Sequence, residues 1–78
     1  METSQIYARL TEVFQDVFDD EIELKPETSA DDVEEWDSLA HLRLMLTVEN
    51  AFKVKFSAAE VGGLENVGAL VRLIQSKL

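Results

Sequence analysis

Apolar positions along the chain fall into three stretches of helical period, separated by segments that have none. In residues 4–18, Ile6, Leu10, Val13, Phe14 and Val17 follow the i, i+4, i+7, i+8 spacing of one buried stripe, which predicts an amphipathic helix. Ser4 is its candidate N-cap, because a serine hydroxyl accepts from a free N–H of the first turn, and Asp19-Asp20 ends the pattern. Residues 38–53 predict a second long helix with Asp37 as N-cap. Here the pattern has two apolar faces. Leu44, Met45, Val48 and Phe52 share one face with His41, while Leu39, Leu42 and Leu46 form a separate stripe, and Arg43, Thr47 and Asn50 take the polar remainder. A surface helix needs only one apolar stripe, so the second must line a cavity or await a partner.

The last third of the chain has the sharpest local signals. Ser57-Ala58-Ala59-Glu60 reads as a capping box, flanked by Phe56 and Val61 at the positions of a hydrophobic staple. Gly62-Gly63 then stops that helix after about one turn, glycine being the usual residue past a helix end. A final helix runs from about Asn66 to Lys77, with Val67, Leu70, Val71, Ile74 and Leu78 as its stripe and Gly68 in the first turn, where its cost is smallest. Residues 19–37 show no helical period. Ile22 and Leu24 alternate with acids, Pro26 sets a turn, Val33 and Trp36 stand as isolated anchors, and one helical turn is expected near Ala30–Val33. The expected fold is all-α: a small bundle of three longer helices and one short one, with a long, ordered first loop, forming a single domain over residues 1–78.

Composition narrows the function. A chain of 78 residues buries only roughly 60–65% of its unfolded surface, and the 46% apolar content is what makes a core affordable at this size. There is no cysteine, so neither disulfides nor thiolate metal sites arise, and no run approaches the roughly 20 apolar residues of a membrane span. The first residues lack the basic region of a secretory signal, and a cytoplasmic protein is expected. The formal charge of −9 disfavours nucleic acid and anionic membranes and favours a soluble monomer steered to basic surfaces. Ten acids lie between Asp19 and Asp37, where Lys25 is the only base.

The candidate chemistry sits at Asp37-Ser38-Leu39. A serine at the opening of a helix lies among unpaired N–H groups and the positive end of the helix dipole, where a phosphate ester is stabilised. Read alone, Ser38 is a second N-cap candidate beside Asp37. Its surroundings add to it: an acidic approach of Asp31, Asp32, Glu34, Glu35 and Asp37 able to dock a basic modifying enzyme, Trp36 as an adjacent anchor or contact, and the extra leucine stripe beginning next door.

In these features the chain resembles the acyl carrier protein family over nearly its whole length: helix, long acidic loop, Asp37-Ser38-Leu39, a helix ending Val48-Glu49-Asn50-Ala51-Phe52, a short helix and a final one. The resemblance implies a carrier with no catalytic residues or metal of its own. Ser38 would receive 4'-phosphopantetheine from coenzyme A through a phosphopantetheinyl transferase, and acyl groups would travel as thioesters on that arm. It also implies that Asp37 helps dock the transferase and that Leu39, Leu42, Arg43, Leu46 and Glu49 lie on a partner-recognition helix. Expected partners are the transferase, an acyl- or aminoacyl-activating ligase, and ketosynthase- or acyltransferase-type enzymes of fatty acid, polyketide or specialised lipid biosynthesis. Fatty-acid-type members often carry acids just after the serine, where this chain has Ala40, His41 and Arg43. That difference suits a specialised carrier with dedicated partners. The Gly-Gly-containing lead-in typical of nonribosomal peptide carriers is also missing.

Four other readings compete. Ser38 and His41 are i, i+3 neighbours, so a Ser–His dyad can be drawn, but no Gly-x-Ser-x-Gly elbow or oxyanion hole accompanies it. The loop acids fit no Ca²⁺-loop pattern and have no glycine for its turn. An aminoacyl- or peptidyl-type carrier loaded by a stand-alone ligase, and a helical interaction module with no prosthetic group, remain as alternatives.

Overall fold

The computed structural model describes residues 2–19 and 22–78. Helix α1 spans Thr3–Phe18, α2 Ser38–Phe52, α3 Ala58–Gly62 and α4 Val67–Lys77, with one 3₁₀ turn at Ala30–Asp32 inside the long loop. Among the described residues there is no strand, and α1 packs on both α2 and α4.

Each element forms for a reason visible in its own residues. In α1 the stripe Ile6, Leu10, Val13 and Phe14 is buried as the periodicity requires, but Phe18 joins it while Val17 is only half-buried. The larger ring one position on covers more of the core. The N-terminus differs from expectation too. Ser4 does not cap; Glu2 occupies the N-cap, and its N–H donates to Oε1 of Gln5 at 2.8 Å. That is the glutamine half of a capping box, which satisfies a backbone donor that Ser4, already inside the first turn, leaves open. The helix stops at Asp19, whose φ of 53° is left-handed and whose N–H donates to the Gln15 carbonyl at 2.8 Å; Asp20 lies outside the described residues.

The two faces of α2 separate as the pattern predicts. Ala40, Leu44, Met45, Val48 and Phe52 are buried against α1 and the rest of the core, while Leu39, Leu42 and Leu46 are 70%, 57% and 61% exposed. Asp37 caps the helix through an oxygen that accepts from the Ala40 N–H at 2.8 Å. The Ser57–Glu60 box is present in both directions, at 3.2 and 2.8 Å, and Phe56 and Val61 pack half-buried against the core. Gly63, however, ends α3 with φ −92°, not in the left-handed region that favours glycine. Left-handed ends fall instead on Asp19 and on Lys53, at φ 57°. In α4 the buried stripe is Val67, Leu70, Val71 and Ile74; Leu78 lies past the last turn and is 54% exposed.

The long loop is ordered by two sets of contacts. Val33 and Trp36 are buried, and Ile22 and Leu24 pack partly buried against the core. In addition, the Val67 N–H donates to the Thr28 carbonyl at 2.8 Å and the Gly68 N–H to the Pro26 carbonyl at 2.9 Å. Together with the Asn66 side chain, which accepts from the Ala69 N–H at 2.8 Å, these bonds satisfy the first three donors of α4. Thr28 holds its own turn, its Oγ1 accepting from the Lys25 N–H at 3.0 Å.

Candidate functional site

Ser38 is the first residue of α2 and is exposed. Its carboxylate neighbour Asp37 takes the N–H of Ala40, and among the described residues no protein group takes the N–H of Ser38 or Leu39. The contrast with α4 is direct. There loop carbonyls close the first two N–H groups, and here the same two positions stay open beside a free hydroxyl. An anion esterified to Ser38 would therefore sit against unpaired donors at a positive helix end.

A groove of about 960 Å³ runs along α2 from Ser38 to Glu49, with Trp36 at the serine end and Phe56, Val61 and Leu64 on the facing wall. Leu42, Met45 and Leu46 contribute apolar surface from α2, and Leu70 from α4. An exposed hydroxyl, open N–H groups and an adjoining apolar groove together fit a phosphate ester bearing a long, flexible arm.

The Ser–His dyad does not form. The Trp36 indole, which can only donate, bonds to Nδ1 of His41 at 3.0 Å. That assigns the imidazole hydrogen to Nε2, which donates to the Val61 carbonyl at 3.0 Å. Both ring nitrogens are thus engaged away from Ser38, and the half-buried histidine ties α2 to α3. Trp36 is a buried anchor, meeting Phe14 edge-on with centroids 5.3 Å apart and stacking on His41 at 6.0 Å. No three carboxylate or imidazole groups among the described residues are grouped to hold a metal ion.

The other residues assigned to partner recognition divide. Arg43 is exposed beside the leucine stripe. Glu49 is half-buried, and its Oε2 accepts from the Phe56 N–H at 2.7 Å, so its charge holds the α2–α3 connection. On α3, Glu60 is held below the usual carboxylate range, first by the Ser57 backbone N–H and then by Lys77, whose ammonium lies 3.1 Å away. Sequence reasoning overlooked Thr28 and the Glu49 clip. The first carries a faint signal, a threonine two residues after Pro26 in a turn; the second joins groups seven residues apart with no local pattern to mark it.

Comparison with known proteins agrees with this arrangement. A family profile described as a phosphopantetheine attachment site matches residues 8–74, a span reaching all four helices. The solution NMR structure of a holo acyl carrier protein from Geobacter metallireducens superposes with a TM-score of 0.86 at 44% identity, covering 92% of this chain and 84% of that one. A search of curated proteins returned no match. The fold and the family profile together define a small helical carrier domain of the phosphopantetheine type. The chain belongs to the acyl carrier protein family. No helix of the described residues is long and apolar enough to cross a membrane.

Proposed function

We propose that Ser38 is the attachment point of 4'-phosphopantetheine and that the chain acts as a cytoplasmic acyl carrier. The supporting observation is the exposed Ser38 hydroxyl on the first residue of α2, beside two open N–H groups and at the end of an apolar groove. In the loading reaction, the serine oxygen bonds to the pantetheine-side phosphorus of coenzyme A. The bond to the adenosine bisphosphate breaks, and the serine proton passes to a base on the transferase. The arm supplies the thiol that this cysteine-free chain lacks, and so holds acyl groups as thioesters.

The chain's own residues place this site and draw the transferase to it. Asp37 fixes the helix start and offers its charge to a basic transferase surface, while the loop acids before it steer that enzyme toward Ser38. The family relationship supports partners of the acyl- or aminoacyl-activating, ketosynthase and acyltransferase types, meeting the chain at Leu39, Leu42, Arg43 and Leu46. Glu49 marks the far end of that face. Arg43 favours service to a specialised lipid or polyketide route with a dedicated activating ligase over general fatty acid synthesis.

Intact-mass measurement after incubation with coenzyme A and a promiscuous transferase tests the reading. Wild-type protein should gain one phosphopantetheine and Ser38→Ala none. Absence of a gain in the wild type overturns it.

A further inference from the structure

The formal charge divides at Ser38. Residues 1–37 hold thirteen acids and two bases, a formal −11; residues 38–78 hold three acids and five bases, a formal +2. The outward face of α2 lies just past this divide. Leu39, Leu42 and Leu46 stand exposed on it, and Arg43, four residues after the first and three before the last, adjoins both on the helix surface. The other formally charged side chain within α2, Glu49, is already bonded to the Phe56 backbone. A protein that is strongly acidic overall therefore presents an apolar face whose single free charge is positive.

That combination specifies what can cover it. Three exposed leucines on one helix mark a surface meant for contact. Closing an apolar surface around Arg43 without a counter-charge leaves a guanidinium desolvated and unpaired, which is costly. A uniformly basic partner, the kind that the net charge alone would attract, sets like charge against Arg43 and is penalised there. Glu34, Glu35 and Asp37, immediately before α2, are exposed and call for the opposite sign. We propose that α2 docks on a partner enzyme with an apolar groove for Leu39, Leu42 and Leu46, a carboxylate facing Arg43, and a basic rim toward Glu34, Glu35 and Asp37. The proposal rests on the carrier reading for the occupant being an enzyme that acts on the arm. The order of charges, acid-facing-Arg43 then base-facing-Glu34, also fixes the direction in which the helix lies on that enzyme.

The test uses two helix-stapled peptides with the same leucine face, one edged with glutamate and the other with lysine. Each is titrated into isotope-labelled Ser38→Ala protein and followed through backbone amide shifts. The glutamate peptide should move the amides of Leu39–Leu46 and bind about fivefold tighter than the lysine peptide; R43E should reverse that order and R43Q should abolish it. Equal binding, tighter binding of the lysine peptide, an order unchanged in R43E, or no shift on α2 overturns the proposal. The Ser38→Ala chain cannot be loaded at that position, so this outcome and the mass measurement on wild-type protein fail independently.

Discussion

Trp36 and His41 are joined twice: the indole N–H donates to Nδ1 at 3.0 Å, and the two rings stack with an interplanar angle of 24°. Because Nε2 of the same imidazole donates to the Val61 carbonyl, the pair links the loop, α2 and α3 beside the groove. Trp36→Phe keeps a ring on Phe14 and Phe18 but removes the donor. We expect a loss of about 1 kcal/mol, which for a chain of this size lowers Tm by roughly 4–8 °C. Hydrogen exchange should show faster opening of α3 than of α1. Unchanged exchange at Val61 and its neighbours would refute the linkage.

Asp37 caps α2, and substitution can separate that cap from the docking role proposed for its charge. Asparagine is as good an N-cap as aspartate, whereas alanine is poor. Asp37→Asn should therefore retain stability and slow loading by the transferase at low salt, through the lost charge alone. Asp37→Ala should slow loading and also cost about 1 kcal/mol in denaturant melts. Equal loading rates for wild type and Asp37→Asn would remove the charge from the docking account.

Gly68 is set by close approach. A Cβ there would lie 3.0 Å from the Pro26 carbonyl oxygen, the acceptor of Gly68's own N–H. Gly68→Ala should cost about 1–3 kcal/mol, since the backbone on both sides must shift. Gly62 has nothing within 4 Å of its Cβ position, so Gly62→Ala should be neutral or stabilising by up to about 1 kcal/mol. Urea midpoints of the two variants should move in opposite directions, or only Gly68→Ala should move.

The Glu60 carboxyl titrates below its ordinary value because its ionised form accepts from Ser57 and pairs with Lys77. A depressed carboxyl stabilises the fold above its unfolded value, and that contribution is lost as pH falls through the lower folded value. The stability gap between wild type and Glu60→Gln should thus be present near pH 7 and shrink toward about pH 3. A gap that widens on acidification would contradict the cap.

Much of this was readable in advance because the determining interactions are local. The spacing of Leu44, Met45, Val48 and Phe52 against Leu39, Leu42 and Leu46 separates two faces by helix geometry alone, and Ser57 with Glu60 needs only a three-residue separation. Where reading fell short, the deciding partner lay elsewhere or two local options competed. Ser4 and Glu2 both offer a cap, and Gln5 decides between them. Val17 and Phe18 both border the stripe, and core volume decides. His41 looks like a possible base until Trp36 and Val61, from two other elements, occupy its nitrogens. The place of Ser38 at the start of α2 was legible, yet its open surroundings were not. Those rest on the missing backbone acceptors at α2, which stand out only beside the filled ones at α4.

The bonds from Val67 to Thr28 and from Gly68 to Pro26 have a topological consequence. They close a ring of about forty residues, and α2, α3 and Ser38 all lie inside it. Forming that ring is a long-range step that no isolated helix can take early. Once closed, it fixes both ends of the segment that lines the groove. The groove walls thus stand inside a frame that backbone hydrogen bonds alone hold to a fixed span.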